Sequence, residues 1–159
     1  MINEISEKPD IFELLELHEK RYIKELNYLL ANHEKLSTVQ GLERTKRVFD
    51  SVRKHLAHQD RLIACGADCD ESVRFIEAYK KVRERILEKI NQIVLMHVDE
   101  PEFLDGLQSL REEVMTMAEL EETRLYRKLR RLIDEKKLEA IRESMLEDED
   151  EDIVSSTKE

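Results

Sequence analysis

The chain has 159 residues, enough for one domain of ordinary size and too few for two comfortable ones. Charged residues make up 40%, aromatics 5%, there is no Trp, and only three Gly and two Pro punctuate it; collagen-like, disulfide-scaffold and low-complexity chains are excluded, and an all-β sandwich would lack its turn residues. The formal charge of −10 argues against a phosphate-backbone binder, which concentrates Lys and Arg to release counterions, so no nucleic-acid partner is expected.

Hydrophobic residues still reach 40%, which supplies a core, and the remaining class is all-α. The acidity is uneven: residues 147–152 are six consecutive carboxylates, inside a stretch 147–159 with seven acids and one Lys, without which the formal charge is −4. Adjacent like charges repel and have nothing to bury, so 147–159 is expected to be a disordered acidic tail. Residues 1–9 form an N-terminal extension without the basic and apolar regions of a signal peptide. No apolar run approaches the roughly 20 residues that span a bilayer. Two cysteines suit a reducing compartment. A cytoplasmic protein with no membrane partner follows as the expectation.

Taken in chain order, Asp10 caps a first helix over about 10–33, with Ile11, Leu14, Leu15, Tyr22, Leu26, Leu29 and Leu30 at three- and four-residue spacing. Ser37 or Thr38 caps a second, striped by Leu42, Val48, Phe49, Val52, Leu56, Leu62 and Ile63 and ending at Cys65-Gly66. Asp70 caps a third, with Val73, Ile76, Val82, Ile86, Ile90, Ile93 and Val94. Pro101 suits the first turn of a fourth, which carries Phe103, Leu107, Leu110, Val114, Met117, Leu125, Leu129 and Leu132. A short C-terminal helix covers about 134–146. Four long amphipathic helices with short connections pack most simply as an up-down-up-down four-helix bundle over 10–146.

Bundle sites are built from polar side chains in phase with the apolar stripes. His18 falls between Leu15 and Tyr22; His55 and Gln59 continue the line of Val48 and Val52; Tyr79 stands between Ile76 and Val82; Glu121 follows Val114 and Met117. Glu121 is the least expected, because a buried unpaired carboxylate costs several kcal/mol or must hold a proton. Imidazoles, a carboxylate, an amide and a phenol converging from four helices suit a metal such as Fe, Mn or Zn, and equally a metal-free hydrogen-bonded layer. His58, three residues past His55, edges this layer or faces solvent. His33 and His97 sit at helix ends, where an imidazole complements the dipole. Met115, Met117 and Met145 read as core filler. Cys65 and Cys69 form a C-x3-C pair, by default two unremarkable thiols. There is no Gly-rich phosphate loop, Ser/His/Asp set or C-x2-C zinc pair, so conventional enzymology has little to stand on.

The segment HLAHQDRLI from His55 resembles the second-helix motif of the hemerythrin-like (HHE cation-binding) family, commonly HLAHEDR. ELEETRLYRKL from Glu119 is similar to its fourth-helix motif, and His18 within LLELHEKR resembles its first-helix histidine. The resemblance covers about 10–145. It implies a site that is diiron in the family, with His18, His55 and Glu121 as ligands and His58, Gln59 and Tyr79 at the edge. Gln59 stands where the family has Glu, Tyr79 near a third-helix His, and Met117 at the fourth-helix His. The implied function is therefore a remodelled iron (or other divalent transition metal) site serving metal binding or oxygen and redox sensing, with metal ion and dioxygen as partners. The alternative is a metal-free interaction or regulatory module that engages a protein partner, as monomer or homodimer.

Overall fold

A computed structural model of the chain describes residues 9–66 and 73–157. Among these, every regular element is helical: α1 (Ile11–Asn32), α2 (Thr38–Gly66), α3 (Val73–Val94), α4 (Pro101–Leu120), a π-turn (Glu121–Leu125), α5 (Tyr126–Leu132) and α6 (Glu135–Thr157), with a 3-10 turn at His33–Lys35. The all-α expectation holds. Asp70 and Cys69 lie outside the described residues.

The helix starts follow the capping chemistry in the sequence. Asp10 Oδ1 accepts from the Glu13 backbone N–H at 2.9 Å. At α2, Ser37 Oγ accepts from the Gln40 N–H at 3.1 Å, while Gln40 Oε1 accepts from the Ser37 N–H at 3.0 Å, a reciprocal capping box. Pro101 occupies the first turn of α4, where its missing N–H goes unused.

α1 lies against α2 and α4, and α3 against α4 and α2. The stripes meet in one core in which Leu15, Leu26, Val52, Ile90, Leu110 and Val114 are fully buried. Gly106 lets α3 and α4 approach closely, since a Cβ there would stand 2.8 Å from Ile93 Cγ1. No helix among the described residues is long and apolar enough to cross a membrane.

Two features differ from expectation. α6 is not a short helix before a disordered tail; it runs Glu135–Thr157, through the acidic stretch. Ile141 and Met145 are buried, α6 packs on α1 and α2, and Arg142 Nε donates to the Pro9 carbonyl at 2.8 Å. Once that packed turn exists, each further residue adds a backbone hydrogen bond at little nucleation cost. Met117 and Met145 are core residues, but Met115 is 43% exposed.

Candidate metal centre

Glu19, His55 and Glu121 come from three different segments and meet in the core, 5%, 1% and 0% exposed. Each sits in a run of buried positions three or four residues apart. α1 contributes Leu15, Glu19, Tyr22, Leu26 and Leu29; α2 contributes Val48, Val52, His55, Gln59 and Leu62; the fourth stripe runs Val114, Met117, Glu121 and Leu125. Glu121 opens the π-turn, in which the Tyr126 N–H donates to the Glu121 carbonyl five residues back. Such wide turns recur at functional sites inside α-helices.

One donor atom from each of the three lies within 4.8 Å of the others. His55 Nε2 is 3.5 Å from Glu19 Oε2 and 3.5 Å from Glu121 Oε1. Gln59 Nε2 donates to Glu121 Oε1 and, at 2.9 Å, to the Tyr126 hydroxyl. The Tyr22 hydroxyl donates to Glu19 Oε2 at 3.5 Å, and its ring meets the His55 imidazole edge-on with centroids 5.4 Å apart. Both His55 nitrogens, Glu121 Oε2 and Gln59 Oε1 are buried without a hydrogen-bond partner. Native cores rarely leave such groups unsatisfied, so their convergence here calls for an occupant or a proton.

The electrostatics are those of crowded carboxylates out of water. Burial pushes the Glu19 carboxyl up to about 8, against the pull of His55 and with the push of Glu121. Burial alone would lower His55, but the facing Glu121 and Glu19 outweigh it and raise the imidazole to about 9. Tyr22 and Tyr126 are held well above the ordinary phenol value, first by burial and then by the same two carboxylates.

Of the residues singled out in the sequence, His55 and Glu121 are brought together, with Gln59 bonded at their edge. His18 is not with them. It is half-buried on the flank of α1, and Glu19, one residue on, enters the group instead. The physical reason is phase: position 19, not 18, continues the line from Leu15 to Tyr22, Leu26 and Leu29, which was the available signal. His58 is buried but outside the three-residue group. Tyr79 points elsewhere: its hydroxyl donates to Asp60 Oδ1 at 2.8 Å and approaches the Leu56 carbonyl at 3.4 Å. Arg83 grips the same Asp60 with Nε and Nη2, so Tyr79 belongs to an ion-paired pin between α2 and α3. The expected convergence of four helices is thus one of α1, α2 and the π-turn. His33 packs its ring on Phe103, and exposed His97 pairs with Asp99.

The sequence matches no family model, no curated protein and no solved structure.

Proposed function

We propose that the chain is a hemerythrin-like up-down-up-down bundle whose core binds a single transition-metal ion, iron foremost, through Glu19, His55 and Glu121, in the service of metal binding or of oxygen and redox sensing. The contacts of α1 with α2 and α4, and of α3 with α4 and α2, support the bundle arrangement. The observation that carries the site is the convergence of three donor atoms within 4.8 Å, from three segments, where buried lone pairs are unsatisfied.

The donor set fits one ion better than two. Two carboxylates balance a divalent charge, and imidazole with carboxylate suits iron, manganese or zinc. Gln59 adds an amide where a second ion would call for another anion, and it turns its donor face to Glu121 and Tyr126. Bound there, an ion would supply Lewis acidity and, if iron, one-electron chemistry. The chain's own part is to hold the three donors together in a buried core.

Elemental analysis of protein equilibrated anaerobically with ferrous or manganous salt and desalted tests this directly. One metal per chain is expected, lost in His55→Ala while helicity is kept. Protein that emerges metal-free from both salts ends the proposal.

A second reading, a metal-free regulatory module, is favoured by one observation: an imidazole raised to about 9 between two carboxylates is itself a charge-compensated cluster. On that reading His55→Ala lowers thermal stability and changes no metal content.

A further inference from the structure

Four tyrosines are present, and they stand in different relations to the cluster. Tyr28 is 39% exposed. Tyr79 is committed to Asp60. The Tyr126 hydroxyl accepts from the Gln59 amide, whose Nε2 also donates to Glu121. Tyr22 alone places its hydroxyl directly against a carboxylate of the group, 3.5 Å from Glu19 Oε2. It is 3% exposed, and its ring is wedged edge-on against His55.

The donor atoms therefore form a chain of equal steps: Tyr22 Oη to Glu19 Oε2 3.5 Å, Glu19 Oε2 to His55 Nε2 3.5 Å, His55 Nε2 to Glu121 Oε1 3.5 Å. Such steps are too long for strong hydrogen bonds. They match tetrahedral ligand spacing: metal–donor bonds of about 2.0–2.2 Å put neighbouring donors about 3.3–3.6 Å apart at tetrahedral angles, against about 2.8–3.1 Å at octahedral ones. We propose that Tyr22 is a fourth ligand of this centre, its phenolate oxygen joining Glu19, His55 and Glu121 around a trivalent ion.

The inference rests on the metal-site reading above, and it adds a preference. Glu19 and Glu121 neutralise a divalent ion, and a phenolate supplies the third negative charge that a ferric ion needs in a core where uncompensated charge is expensive. On ligation the phenol O–H bond breaks, the proton goes to water, and the oxygen–iron bond forms in its place. No electron is transferred in this step.

The test uses the full chain loaded with ferric nitrilotriacetate and desalted, with iron counted and the visible absorption and resonance Raman spectra recorded. One iron per chain, an intense visible band and tyrosinate vibrations are expected. Tyr22→Phe should lose the band, while Tyr126→Phe, Tyr79→Phe and Tyr28→Phe keep it. If Tyr22→Phe fails to hold iron at all, a band that survives in the other three variants still assigns it to Tyr22 by elimination. Iron bound without a tyrosinate signature, or a band that survives Tyr22→Phe, overturns the inference and leaves the three-ligand site standing. A chain that takes up neither ferric, ferrous nor manganous ion overturns both.

Discussion

Glu19 and His55 carry the pH behaviour of the metal-free protein, and both push it the same way. Glu19 ordinarily titrates at 4.5 and is raised to about 8, so its share of stability is complete below 4.5 and is lost as pH rises through about 8. His55 is raised from 6.5 to about 9, so its share is complete below 6.5 and is lost as pH rises through about 9. Thermal melts with a chelator present should therefore show Tm falling steadily from about pH 5 to about pH 9. Glu19→Gln should flatten the lower part of that fall. A metal-free Tm that climbs over this range contradicts the assignment. Metal should act in the opposite sense, because an ion competes with these protons: the rise in Tm on adding metal should grow with pH. In His55→Ala the two carboxylates lose the cation between them, and by the usual penalty for removing one partner of a buried pair the loss is about 3–5 kcal/mol in urea denaturation.

At the level of elements, the π-turn and Gly106 are two local departures from an ordinary helix, and each serves packing in the core. The π-turn widens the fourth stripe so that Glu121, Leu125 and Tyr126 all stay buried, keeping Glu121 opposite His55 and Tyr126 within reach of Gln59. Gly106 sits where α3 and α4 nearly touch. Gly106→Ala should gain about 1 kcal/mol of helix propensity and lose about 1–3 kcal/mol to overpacking, because the atom it meets is the inner Cγ1 of buried Ile93 rather than a free side-chain end. Net destabilisation is expected in chemical denaturation; a more stable variant would show that α3 and α4 have slack at this crossing.

On the scale of the whole molecule, α6 closes part of the core through Ile141 and Met145. Truncation after Asp134 uncovers the sites of Ile141 and Met145 on α1 and α2 and removes the Arg142 contact to Pro9. At about 1.5–3 kcal/mol for each buried side chain, roughly 3–6 kcal/mol should go. A loss well below that range in urea denaturation would mean that these side chains of α6 add little to the core.

Length, periodicity and capping residues by themselves determined that this chain is helical, where α1, α2 and α4 begin, and that His55 and Glu121 face inward, because a 3.6-residue period links a local spacing directly to a buried face. Tertiary structure decided the rest. The spacing from Leu15 to Tyr22 turns Glu19 rather than His18 inward, but only the packing of α1 against α2 and α4 brings that carboxylate to His55 and Glu121. Tyr79 lies in an apolar stripe like Tyr22, yet Asp60 and Arg83 across the α2–α3 contact draw its hydroxyl away. Tyr22, silent in the stripe as one more apolar position, gains its role from standing 3.5 Å from a carboxylate on its own helix that itself faces His55 of another. The spacing along one helix says which side chains point inward; what they meet there depends on the rotation and depth of helices far apart in sequence.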